Sequence, residues 1–148
     1  MLASQSGEQK DTHTTVVTGA LNDLHVLGIK VLEYFLEREG FKVVFAGAWL
    51  TQEDFIKAAI ETNARAILVS SSYGHAEIDC AGMREKCQES GLSDILLYAG
   101  GNLTVTRQQQ SWEDIAARFK KMGFNRVYPP NVTPEQVVKD LKADLSLD

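Results

Sequence analysis

Residues 16–41 read VVTGALNDLHVLGIKVLEYFLEREGF, and the spacing of the apolar positions changes partway along. Thr15 to Ala20 is a β-branched run that predicts a strand. From Val26 to Glu39, Leu27, Val31, Tyr34 and Phe35 recur at helical spacing, and Gly40 stands where a helix ends. A strand that runs through a short turn into a helix is half of a βαβ unit. The rest of the chain repeats the pattern.

Lys42 to Ala46 reads as a second strand. Thr51-Gln52-Glu53-Asp54 is a capping-box pattern that opens a helix packing through Phe55, Ile56, Ala59 and Ile60. Ala66 to Val69 is continuously apolar, as in a strand covered on both faces of a parallel sheet. A helix is expected from Ala76 to Ser90, stopped by Gly91, and a fourth strand from Asp94 to Tyr98, ended by Gly100-Gly101-Asn102. Ser111 caps a helix from Trp112 to Met122, with Gly123 after it. Asn125 to Tyr128 is a short fifth strand. Pro129-Pro130 breaks the chain, and Thr133-Pro134 starts the last helix with a cap and a proline in its first turn.

Such an alternation predicts one α/β domain, a flavodoxin-like (Rossmann-like) parallel sheet of five strands in the order 2-1-3-4-5 with helices on both faces. The expected division is an N-terminal tail, residues 1–13, and one domain, residues 14–148. Sheets of this kind bind ligands beyond the carboxyl ends of their strands, near the switch between the first and third. The loops to inspect are therefore Leu21 to Gly28, Ser70 to Gly74 and Gly100 to Thr106.

The 148 residues, 44% hydrophobic and 24% charged, suit one ordinary core. A net charge of -5 argues against nucleic acid, which wants a basic surface. The chain shows neither a signal-peptide pattern in residues 1–13 nor an apolar run of the ~20 residues that a membrane span needs, so a cytoplasmic protein is expected. Cys80 and Cys87, about 10 Å apart on one continuous helix, would be too far apart for a disulfide.

Several ligand classes lack their motifs. The first loop has Gly19 and Gly28 but no Gly-x-Gly-x-x-Gly, and no Gly-Lys-Ser/Thr phosphate loop occurs. The third strand ends in Ser70-Ser71-Ser72, not in a phosphate-accepting aspartate. What remains is Asp23-x-His25-x-x-Gly28. A loop histidine can offer one ring nitrogen to a metal while a carboxylate fixes the other. Gly28 would let a flat ligand approach the backbone. One histidine is too few for a bare ion but enough for a metal already held in a macrocycle. Asp23 also suits the cap of the following helix.

That motif, the serines after the third strand and Gly100-Gly101 after the fourth resemble the cobalamin-binding domain family. The stretches FIKAAIETNARAILVSSSYGHAEIDCAGMREKC, ILLYAGGN and RFKKMGFNRVYPP are similar to small (sigma) subunits of adenosylcobalamin-dependent glutamate mutases, from about Thr15 to the end of the chain. The resemblance implies that His25 is the lower axial ligand of cobalt in place of the cofactor's own base, and that Asp23 orients it. It implies further that Asn22, Leu24, Val26 and Gly28 line the site. The displaced dimethylbenzimidazole tail would enter between the first helix and the sheet, with Ser70 bonding to it and Ser71 and Ser72 beside it. Gly100, Gly101, Asn102, Leu103, Thr104, Val105 and Thr106 would border it, and Tyr128 and Pro130 would close it. No catalytic residue is expected in this chain. A larger TIM-barrel subunit would hold L-glutamate in a heterotetramer and form (2S,3S)-3-methylaspartate by an isomerase reaction.

The chain departs from the family pattern at Ser72, where leucine is usual, at Asn131, where glycine is common, and at His75, where glutamine is usual. The other readings to separate are a stand-alone corrinoid carrier or sensor, a subunit of another cobalamin-dependent mutase, and a scaffold without cofactor. Trp49 and Trp112 are expected in packing or interfaces, Tyr73 in either core or site, and Arg107 in solvent.

Overall fold

The structure is a computed structural model, and it describes residues 11–21, 27–71, 76–101 and 111–147. Its strands are β1 (Thr15–Ala20), β2 (Lys42–Phe45), β3 (Ala66–Ser70), β4 (Leu96–Gly100) and β5 (Arg126–Val127). Its helices are α1 (Leu27–Arg38), α2 (Gln52–Thr62), α3 (Ala76–Cys80), α4 (Met83–Glu89), α5 (Trp112–Lys121) and α6 (Pro134–Asp144). The strands form one sheet in the order β2-β1-β3-β4-β5, all pairs parallel, as the alternation predicts. Central β3 is apolar and buried from Ala66 to Val69, because helices cover both its faces.

Two half-cores flank the sheet. One gathers Phe55, Ile56 and Ala59 of α2, Cys80, Met83 and Cys87 of α3 and α4, and Ile115 and Phe119 of α5 against Val17, Ile67 and Leu97. The other packs Leu36 of α1 and Val137, Val138 and Leu141 of α6 on Val16, Ala66, Leu68, Tyr98 and Tyr128. Alternate strand residues thus serve opposite faces. Preceding the sheet, Thr12 is tied to the turn after α1 through its N–H and its hydroxyl, both donating to the Gly40 carbonyl at 3.0 and 3.1 Å.

The local end signals act as read. Thr51 caps α2 by accepting from the Asp54 N–H at 3.2 Å, and the Asp54 carboxylate accepts from the Thr51 N–H at 2.9 Å. That bond, chiefly, holds the Asp54 carboxyl below its ordinary range. Ser111 caps α5, and Thr133 caps α6 with Pro134 in its first turn.

The expected helix from Ala76 to Ser90 is two helices. It breaks at Ala81–Gly82, where Gly82 takes φ +81°. The cause is tertiary. The Gln52 side-chain amide of α2 donates to the carbonyls of Asp79 at 2.6 Å and Ala81 at 2.9 Å. An uninterrupted helix would commit those carbonyls to N–H groups four residues on. The cysteines consequently lie on different helices. Both are free and buried, and burial pushes the Cys80 thiol up to about 12, with a smaller push from the Asp79 charge. Burial likewise raises Cys87.

β4 starts later than Asp94 because Leu96 is the residue that pairs with Ala66 at the start of β3, and it continues until Gly100 pairs with Ser70. Arg84 of α4 fixes the approach to this edge. Its guanidinium donates to the carbonyls of Gly123 at 3.0 Å and Ile95 at 2.8 Å, and to the Asn125 amide oxygen at 2.7 Å.

Gln52→Ala leaves two carbonyls of the helix break without their donor. Urea unfolding should show a loss of roughly 1–3 kcal/mol, the cost of orphaning buried polar groups.

Candidate functional site

Three strands end side by side: Ala20 of β1 pairs with Ser70 of β3, which pairs with Gly100 of β4. Beyond them, between the sheet and helices α1 and α6, a groove of about 290 Å³ opens. Gly28, Ile29 and Leu32 of α1 form one side, and Pro129, Pro130, Val132, Pro134 and Val137 form the other. Thr18, Leu68, Val69, Ser70, Tyr98, Ala99, Gly100, Gly101 and Tyr128 make the floor.

Among the residues singled out from the sequence, the structure brings Gly28, Ser70, Gly100, Gly101, Tyr128 and Pro130 together around this one groove. Ser71 is buried beside it and does not line it, its N–H donating to the Gly100 carbonyl at 3.1 Å. Asn22, Asp23, Leu24, His25 and Val26 lie outside the described residues, as do Ser72, Tyr73, His75, Arg107 and the run Asn102, Leu103, Thr104, Val105 and Thr106. Trp49 is 56% exposed in the turn after β2, and Trp112 is half-buried against the α5 side of the core.

The glycines differ in what they allow. A Cβ on Gly28 would meet no atom within 4 Å, and one on Gly100 would meet only Tyr128 Cβ, at 3.9 Å. Both absences leave room at the groove. Gly101 is at φ +96°, and a Cβ there would fall 2.5 Å from the Ser71 carbonyl oxygen. Only glycine closes that turn without strain.

The volume limits what can enter. It is at the lower end of small-molecule pockets, which span roughly 300–1,000 Å³. A groove of this size suits a small organic group. The lining is mainly apolar, with a few hydroxyls, as suits an aromatic base with a sugar. Among the described residues no group of three or more His, Cys, Asp or Glu side chains could hold a metal ion.

The sequence reading passed over several lining residues. Thr18 donates its hydroxyl proton to Glu33 Oε2 at 2.6 Å. Glu33, 8% exposed, also takes Lys30 at 3.2 Å, and that ammonium lies 3.6 Å from the centre of the Phe45 ring. This chain of contacts ties α1 to β1 and β2 behind the groove. Leu32 follows Gly28, and Glu33 follows Ile29, one turn on along the same helix. Tyr98 and Val137 gave no local sign, being core-type residues in a strand and a helix.

The B12 binding domain family matches residues 13–124. The chain is 54% identical to the glutamate mutase sigma subunit of Carboxydothermus hydrogenoformans over 84% of its own length and 90% of the relative's. It is 52% identical to that of Clostridium tetani, over 90% of this chain and 96% of the relative. In fold it is similar to the crystal structure of a cobalamin-binding protein from Desulfitobacterium hafniense DCB-2, with TM-score 0.70 and 16% identity over 88% of this chain and 58% of that one. The chain belongs to the B12 binding domain family and, within it, to the glutamate mutase sigma subunits.

Gly28→Ala should keep or raise the stability of the cofactor-free protein, by up to ~1 kcal/mol, since alanine favours a helix and meets no clash. Gly101→Ala should lower it by more than ~1 kcal/mol, because alanine is strained at positive φ. Thermal unfolding of both variants checks the contrast.

Proposed function

We propose that this chain is the cobalamin-carrying subunit of a glutamate mutase, and that it holds adenosylcobalamin with the nucleotide base displaced into the groove and His25 coordinating cobalt from below. The observation that carries the proposal is the groove itself. Its mainly apolar lining suits the tail, and Gly28, the last residue of Asp23-x-His25-x-x-Gly28, stands at its edge.

Each part of the chain then has a task. His25 presents a ring nitrogen at the rim, and Asp23 accepts from the other nitrogen, fixing the tautomer and raising the basicity of the ligand. Asn22, Leu24 and Val26 shape the rim next to them. Ser70 bonds to the tail, Ser71 and Ser72 support that turn, and Gly100, Gly101 and residues 102–106 border the entrance. Tyr128 and Pro130 close the far side. The bound cofactor would supply radical chemistry, and the protein would supply position and electronic tuning.

The substrate site lies on a partner. The sigma-subunit relatives support a larger catalytic subunit, which we take to be a TIM barrel that covers the upper face of the cofactor in a heterotetramer. It would hold L-glutamate at the shared interface and yield (2S,3S)-3-methylaspartate. No helix among the described residues is long and apolar enough to cross a membrane, and we assign the complex to the cytoplasm. Identities near one half over most of the chain favour the mutase over a stand-alone corrinoid carrier or sensor.

Titration of the purified chain with adenosylcobalamin, alone and with a large glutamate mutase subunit, tests the reading. The bound cofactor should show the absorbance of a corrinoid whose base is displaced and whose cobalt is held by histidine. His25→Ala should abolish that spectrum. Asp23→Asn should weaken binding or slow turnover on the order of 10- to 100-fold. A free-cofactor spectrum throughout would remove cobalamin binding, and binding without rearranged product from the reconstituted pair would leave only a carrier.

A further inference from the structure

Part of the floor of the groove is held by charged groups that do not line it. Tyr98, in the middle of β4, and Tyr128, just after β5, meet edge to face with ring centres 5.8 Å apart, and both line the groove. Their hydroxyls point away from one another's rings to α6. Tyr98 donates to Asp144, and Tyr128 donates to Asp140 at 2.8 Å. Burial first, and then these carboxylates, raise both phenols above their ordinary range, so each keeps its proton to donate.

Asp140 and Asp144 are four residues apart on one helix, where like charges oppose one another. Arg126 of β5 lies against both. Its Nε and Nη2 donate to the two oxygens of Asp144 at 2.7 and 2.9 Å, and its Nη1 is 3.6 Å from Asp140. Gln136 completes Asp140 at 2.9 Å. The same α6 supplies Pro134 and Val137 to the side of the groove across from α1. β5 is two residues long, and its pairing with β4 is Tyr98 with Arg126 and Ala99 with Val127. So short a strand positions this edge weakly, and a bidentate arginine–carboxylate pair is both strong and directional.

We propose that Arg126, acting through Asp140 and Asp144, is a positioning residue for cofactor binding: it fixes two tyrosines of the groove's floor against α6, which forms one of its sides. This rests on the reading above, in which the groove takes the nucleotide tail. Arg126 touches neither ring nor tail, and it sets the shape of the space that the tail fills. Its effect is therefore specific to corrinoids that carry a tail.

The test compares the affinity of the full chain for adenosylcobalamin with that for adenosylcobinamide, which has the same corrin and no nucleotide. Wild-type protein should prefer the tailed corrinoid. In Arg126→Met that preference should shrink on the order of 10-fold, as losing a charge-assisted hydrogen bond implies, while cobinamide affinity stays constant. At saturating adenosylcobalamin the histidine-ligated spectrum should persist, and Arg126→Lys should restore part of the preference. Tyr128→Phe, which keeps the ring and removes the anchor, gives the same readout should Arg126→Met fail to fold.

Unchanged adenosylcobalamin affinity in a folded Arg126→Met or Tyr128→Phe variant, or an equal loss for both corrinoids, overturns the positioning role and leaves the groove assignment standing. Equal affinity of the wild-type chain for both corrinoids overturns the groove assignment and this role together.

Discussion

The parallel register that sets Ala20, Ser70 and Gly100 abreast is the constraint on which the rest depends. Strands that run the same way and start together also end together, so their following loops converge on one edge. β1, β3 and β4 end there at Ala20, Ser70 and Gly100. Had β4 paired with β3 one residue out of step, its side chains would have exchanged faces. Tyr98 would then have left the groove for the opposite core.

Two kinds of group stabilise that edge. Apolar burial on both faces of β3 supplies the bulk of the stabilisation, as in any covered parallel sheet. Polar side chains then settle details that burial leaves open. Gln52 interrupts a helix, Glu33 ties Thr18 to Lys30, Arg84 gathers three acceptors at the start of the β4 and β5 edge, and Arg126 joins β5 to α6. Each spans elements far apart in sequence, so each turns a packed layer into a definite shape. The groove is where that definition matters, since a loose wall would not distinguish one flat ligand from another.

The cysteines show the same division between burial and chemistry. Both thiols are free and sit in the core on the side of the sheet away from the groove, where desolvation keeps them protonated and inert.

Much was legible in the residues alone. Apolar spacing, capping residues and terminal glycines act within a few positions, and they suffice for the element order, the caps at Thr51, Ser111 and Thr133, the parallel sheet and the strand order. The motif Asp23-x-His25-x-x-Gly28 and the glycines after the fourth strand also lie in short stretches, and of these Gly28, Gly100 and Gly101 line the groove. Tertiary structure decided what no local pattern contains. A glutamine on α2 splits the helix expected from Ala76 to Ser90, and the start of β4 follows its pairing with Ala66. Thr18, Tyr98 and Val137 meet in one groove, and Arg126 reaches two aspartates on another element. Those outcomes depend on which surfaces are pressed together once the chain has folded, and hydrogen-bond partners and cavity walls exist only after that packing.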